Sequence, residues 1–154
     1  MDKLPIILID SREKKGHRYK FNRTDTCGGS EVCKLEFGDY VLKYHPNLIV
    51  IERKKSIDEL CGNLGKNRDR FERELQRMVD AGCKFKYIIV EDYYSSINKP
   101  RFSKMHPKAI FSSMIALELK YGIHFIMAGS RTNAKKITKA LLLKAYDYKL
   151  RGVI

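Results

Sequence analysis

The sequence predicts an α/β fold, a mixed central β-sheet flanked by helices on both faces, and three observations carry that expectation. Short apolar or alternating runs fill residues 4–52. After residue 50, helical periods alternate with further apolar runs, and glycines mark several boundaries. A chain of 154 residues is one ordinary domain, long enough for a single core and too short for two.

The run from Leu4 to Asp10 reads as a buried strand closed by the polar "DSRE". Lys14 to Gly29 is polar and glycine-bearing, which predicts a surface loop or weak hairpin, mobile without a ligand. Val32–Phe37 and Tyr40–Tyr44 alternate, and Asn47–Glu52 is an apolar run after the turn "HPN", so these three read as a meander. Ser56 with Glu59 three residues later is a capping-box start for a helix. A longer helix from Asn67 to Ala81, stopped by Gly82, puts Phe71, Leu75, Met78 and Val79 on one face and charges on the other. Tyr87–Glu91 is a second buried strand. Met105–Tyr121 is a helix that tolerates Pro107 in its first turn and closes at Gly122. His124–Met127 adds a strand, and Asn133–Leu150 a last helix with Ile137, Leu141, Leu142 and Ala145 among its lysines.

The formal net charge of +13 must lie mostly on the surface, because the apolar share is that of an ordinary globular chain. An acidic polymer is the partner this implies. Nucleic acid is favoured over a membrane: no stretch reaches the roughly 20 apolar residues of a span, and no strongly amphipathic basic helix carries exposed large aromatics. Cys27, Cys33, Cys61 and Cys83 contain no C-x-x-C pair, which argues against a zinc knuckle. The opening MDKLPIILID is too short an apolar run for a signal peptide. Reduced thiols in a cytoplasmic or nuclear setting, not secretion, are therefore expected.

The acidic residues of this basic chain are unusually placed. Asp39 follows Gly38, an apolar strand intervenes, and then Glu52, Arg53 and Lys54 stand in a row. Strand alternation turns Glu52 and Lys54 to one side and Arg53 to the other. A hairpin around "HPN" brings Asp39 beside Glu52. Two carboxylates at a strand end suit magnesium or manganese, with phosphate oxygens completing the shell and Lys54 steadying the nucleophile or the developing charge. That is phosphodiester hydrolase chemistry. A surface Glu–Lys salt bridge and a Gly-Asp turn would place the same residues for structural reasons alone. Gly38, the strand between the acids, and Asp58 four residues beyond Lys54 favour the site.

These residues resemble a known family. "GDY" followed by "ERKKSID" fits the pattern G-D-x(n)-E-R-K-x-x-x-D of the XPF-type nuclease domain, a branch of the PD-(D/E)XK nucleases, through Gly38, Asp39, Glu52, Arg53, Lys54 and Asp58. The likeness extends to "IDSRE", with Asp10 and Arg12, to "RFERELQRM" and to "YIIVE", covering about residues 4 to 150. It implies a restriction-endonuclease-like fold and a divalent-metal-dependent endonuclease acting on branched, flap or single-strand-containing DNA in repair or recombination. It further implies Asp39 and Glu52 as metal carboxylates, the main-chain carbonyl of Arg53 as a further ligand, Lys54 as the catalytic lysine and Asp10 as an additional acid. Arg53 and Asp58 would support the site and its DNA contacts, and Arg12, Arg68 and Arg70 would contact phosphate. Residues 1–154 read as a single nuclease domain without the family's helix-hairpin-helix module. Homodimerisation through the last helices, near Tyr146, Tyr148 and Leu150, or a partner protein supplying specificity, is a family-level expectation. A non-catalytic DNA-binding scaffold of the same fold and a nuclease like the Holliday-junction resolvases are the alternative readings.

Overall fold

The computed structural model describes residues 3–154. Six strands, Ile7–Asp10 (β1), Ser30–Cys33 (β2), Tyr40–Leu42 (β3), Ile49–Lys54 (β4), Phe85–Val90 (β5) and Ile123–Met127 (β6), form one sheet in the order β2-β1-β3-β4-β5-β6. β1, β3 and β4 pair antiparallel, whereas β2 on β1, β5 on β4 and β6 on β5 are parallel. Parallel neighbours need a crossover, which helices supply for β4–β5 and β5–β6 and the irregular residues 11–29 supply for β1–β2. Ile57–Leu64 (α1) and Arg68–Asp80 (α2) lie between β4 and β5, and Pro107–Tyr121 (α3) between β5 and β6. Arg131–Leu150 (α4) follows β6.

The sheet separates two apolar layers, as strand alternation requires. On one face Val41, Val50, Ile88 and Val90 pack with Leu60, Phe71, Leu75 and Ile110 of α1, α2 and α3. On the other, Ile9, Tyr40, Ile51 and Ile89 pack with Ala134, Leu142 and Ala145 of α4. Helices therefore cover both faces of a mixed sheet, three against one.

A single helix does not cover that second face, and the segment expected to be a mobile surface loop completes it. Tyr19, Phe21 and Cys27 are buried there. The Tyr19 ring stacks on Tyr40 at 5.1 Å between centroids, and the Tyr19 amide donates to the Tyr40 hydroxyl at 2.9 Å. The segment is polar on average, and the average hides three apolar side chains that face the sheet. Each well-buried ring contributes on the order of 2 kcal/mol.

Other boundaries shift for local reasons. β4 runs on through Lys54, because β5 pairs with it to Lys54↔Val90. The alternating run at Val32–Phe37 yields a strand only over Ser30–Cys33, at the open edge of the sheet. Val79 points to solvent instead of joining Phe71, Leu75 and Met78. Ser56 caps α1 as the sequence suggests, its Oγ accepting from the Glu59 amide at 3.1 Å. The Glu59 carboxylate reaches back to the Lys55 amide, one residue before the cap. α3 starts at Pro107, not Met105, because the His106 imidazole accepts from the Lys108 amide and fixes the first turn. A short 3-10 turn at Tyr94–Asn98 was not evident from periodicity. Among the described residues, no helix is long and apolar enough to cross a membrane.

Candidate active site

The β3–β4 hairpin sets the geometry. Tyr40 pairs with Ile51 and Val41 with Val50, so Asp39 stands opposite Glu52 one step further along. The Asp39 amide donates to the Ile51 carbonyl at 2.9 Å, and the Arg53 amide donates to Asp39 Oδ2 at 2.8 Å. Gly38 makes this approach possible. Its φ is +66°, and a Cβ there would lie 2.5 Å from Val50 Cγ1 and 2.9 Å from the Ile51 carbonyl oxygen.

Asp39, Glu52 and Lys54 open into one pocket of about 300 Å³, whose wall also includes Asp10, Arg12 and Gly38. Lys54 Nζ lies 3.7 Å from Glu52 Oε2. Burial first, and then the Glu52 charge, pushes the Asp39 carboxyl well above the usual carboxylate range. Burial raises Glu52 as well, against the opposing pull of Lys54. Two half-buried carboxylates therefore line one pocket with one ammonium between two demands. Such a site gains from a further cation.

Asp10 lines the same pocket with both oxygens already engaged. Oδ1 accepts from the Leu35 amide at 3.1 Å and Oδ2 from Arg12 Nε at 2.8 Å. Its own amide donates to the Asp39 carbonyl at 2.9 Å, which ties the end of β1 to the start of β3. Arg12 also donates to the Leu35 carbonyl and is largely exposed at the pocket edge. Arg70, from α2, also lines the pocket.

Three expected residues lie elsewhere. The Arg53 side chain is only 5 % exposed and points to the other face of the sheet. There it donates to both Glu91 oxygens at 2.8 and 3.0 Å, to Glu13 at 3.2 Å and to the His17 carbonyl, and it covers the Tyr19 ring. The guanidinium expected to support DNA contacts is thereby corrected to a buried structural one, because the same alternation that aims Glu52 and Lys54 at the pocket aims Arg53 away. The main chain of Arg53 does border the site, through the amide held by Asp39. Arg68 donates to Glu72 at 2.9 Å and to Ser113 Oγ at 2.8 Å, joining α2 to α3 outside the pocket. Asp58 turns to the amides of Arg101, Phe102 and Ser103.

The reading of the sequence missed the helical wall. Asn63 comes from α1, and Asn67, Phe71 and Glu74 accompany Arg70 from α2 and its start. The signal was present: residues 67, 70, 71 and 74 share one face at helical spacing. Glu74 stood among many charges with no strand motif to single it out.

The donor set is oxygen-rich. Among the described residues, no group of three or more His, Cys, Asp or Glu side chains is gathered to hold an ion alone. Asp39 and Glu52 supply two carboxylates, which suits a hard divalent ion that keeps several waters and takes further oxygens from phosphate. Soft metals find no thiolate or imidazole in the pocket wall.

A mixed sheet with helices on both faces, and an antiparallel hairpin presenting two acids and a lysine at its strand ends, is consistent with a restriction-endonuclease-like fold. The chain belongs to the ERCC4 domain family, whose model matches residues 9–141. Solved structures that share the fold include two of XPF. XPF from Aeropyrum pernix is 21% identical with a TM-score of 0.64 over 90% of this chain. XPF from Aeropyrum pernix in complex with DNA is 21% identical with a TM-score of 0.67 over 93% of this chain. This chain spans 60% and 66% of those two chains. No curated protein matches it.

Proposed function

We propose that this protein is a divalent-metal-dependent endonuclease that hydrolyses phosphodiester bonds in DNA, with substrates that are branched, flapped or partly single-stranded. The observation that carries the reading is the convergence of Asp39, Glu52 and Lys54 in one pocket of a strongly basic ERCC4-family chain. That one neighbour of this fold was solved with DNA adds support for the polymer.

Asp39 and Glu52, with the Arg53 carbonyl, would hold magnesium or manganese. Bound there, the ion supplies Lewis-acid polarisation of the phosphate and a nucleophilic water. The chain's own residues do the rest. Gly38 and the Arg53 amide fix the Asp39 carboxylate in position, so no reorganisation is needed when substrate arrives. Lys54, 8 % exposed, presents its ammonium where negative charge develops on the phosphoryl oxygens. Arg12 and Arg70, both lining the pocket, are suited to gripping flanking phosphates. Asp10 holds Arg12 and the β1 end in place.

The test is cleavage of end-labelled flap, fork, four-way junction, duplex and single-stranded DNA with magnesium, manganese or chelator, for wild type and Asp39→Asn. Metal-dependent cuts absent from the variant support the reading. Binding to the same DNA with no cut under either metal would replace it with a DNA-holding scaffold.

A further inference from the structure

Residues 93–117 contain no acidic side chain, yet Lys99, Arg101, Lys104 and Lys108 are interleaved with Tyr94, Phe102 and Phe111. The three aromatic residues are exposed, Phe102 to 84%. Large apolar rings left in water at this density are unusual on a charged surface. Tyr94 and Phe111 line one cleft of about 420 Å³ between the 3-10 turn and the start of α3, roomy enough for a planar base.

The segment is held at two points by carboxylates. Asp58, in the first turn of α1, accepts from the amides of Arg101, Phe102 and Ser103 at 3.1, 2.8 and 2.7 Å. Asp92, just beyond β5, accepts from Ser96 Oγ at 2.7 Å and from the Ile57 amide at 3.0 Å. Both anchors rise from the same end of the parallel strands as the pocket, since α1 begins three residues after Lys54 and Asp92 two residues after the end of β5. The backbone that carries the rings is therefore fixed from the same end of the parallel strands as the candidate active site. Burial would lift the Asp58 carboxyl, but the three amides outweigh it and hold it below the usual range.

We propose that this segment is a platform for single-stranded DNA, on which unpaired bases stack on Tyr94, Phe102 and Phe111 while the interleaved lysines and Arg101 follow the backbone. Stacking rings set among cations are how proteins hold single strands without reading their sequence. A duplex offers no free base faces, so the platform distinguishes an unpaired strand from a paired one. The inference rests on DNA being the substrate. It gives Asp58 a positioning role: the last acid of the family motif fixes the platform, not the pocket.

The test measures binding in chelator, where cleavage plays no part. A fluorescent 12-nucleotide single strand and a duplex of the same length are titrated against the full chain and against Phe102→Ala, Phe111→Ser and Tyr94→Ala. Single-strand affinity is expected to fall roughly 5- to 100-fold per ring, with duplex affinity within about twofold. A strand carrying 2-aminopurine should be quenched on binding wild type and less so on the ring variants. Lys99→Gln with Arg101→Gln should flatten the salt dependence of single-strand binding by roughly 0.7 per charge removed. Unchanged single-strand affinity in all three ring variants, or equal losses on single strand and duplex, would overturn the proposal. So would rings that instead drive self-association, seen as a concentration-dependent mass that Phe111→Ser abolishes while oligonucleotide binding is untouched. A nuclease whose ring variants bind normally sinks the platform alone. A chain that binds single strands through its rings and never cuts sinks the nuclease alone.

Discussion

Glu52 and Arg53 are neighbours in the chain and lie on opposite faces of β4, and their surroundings could hardly differ more. On the Arg53 face the buried guanidinium is matched. Arg53 meets Glu91 and Glu13, and the Tyr19 hydroxyl donates to Glu91 at 2.7 Å. Burial pushes Glu91 up, but its bonds from Arg53 and Tyr19 outweigh that and hold it below the usual carboxylate range. On the Glu52 face two half-buried carboxylates are served by one lysine, 3.7 Å from Glu52, and both carboxyls are raised. The comparison teaches that burial of charge does not by itself mark a site. A satisfied network holds a fold together; an unsatisfied one, open to a pocket, is where a ligand can repay the cost.

The largest effect should come from emptying the unsatisfied face. Asp39→Asn or Glu52→Gln is expected to lower metal-dependent cleavage by at least about 1,000-fold, the scale of several kcal/mol of charge stabilisation. Single-turnover assays would check this. Stability in thermal melts should hold or rise, because a repulsion is removed. A large stability loss would erase the contrast between the two faces.

The satisfied face should show the reverse. Glu91→Ala leaves a buried guanidinium with too few partners and should cost about 3–5 kcal/mol, read from urea unfolding. Replacing both partners, Arg53→Met with Glu91→Leu, should recover much of it. If the double variant were no better than the single one, the pair would be worth more than its own desolvation.

Gly38→Ala tests whether the hairpin itself sets the unsatisfied face. A Cβ 2.5 Å from Val50 Cγ1 at a φ of +66° must move the backbone. The loss should exceed about 1 kcal/mol and take cleavage with it, since Asp39 is the next residue. Normal activity in a destabilised Gly38→Ala would show that Asp39 is held by its hydrogen bonds alone.

The smallest effect belongs to a partly exposed network between the helices. Glu72 accepts from Tyr121, Arg68 and Lys120, and those bonds hold its carboxyl at about 2. The folded value lies below the unfolded one, so the contribution is present above the ordinary range of about 4.3 and is lost as pH falls through about 2. Glu72→Gln should cost about 1 kcal/mol at neutral pH after solvent screening. It should also flatten stability against pH between those limits, as followed by melts at stepped pH.

Much of this was legible along the chain. Periodicity located the helices because an amphipathic face repeats every few residues whatever it packs against, and the strand alternation of Glu52, Arg53 and Lys54 assigned each to its correct side. Gly38 and Asp39 could be paired with Glu52 by counting from "HPN", since a hairpin relates its arms by simple register. A role for the Arg53 guanidinium in DNA contacts does not fit the side to which alternation turns it. Its partners, Glu13 and Glu91, lie 40 and 38 residues off and nothing local announces them.

Local order thus determined the elements, the hairpin and the residue types able to act at its end. Tertiary structure alone decided which charges are matched. It folded a polar loop over the second sheet face, brought Asn67, Arg70 and Glu74 to the pocket wall, and turned Asp58 to a loop more than forty residues on. The physical reason is range. Helix and strand periods arise from contacts within a few residues, whereas desolvation and charge pairing depend on everything within a few ångströms, and only the folded chain specifies what that is.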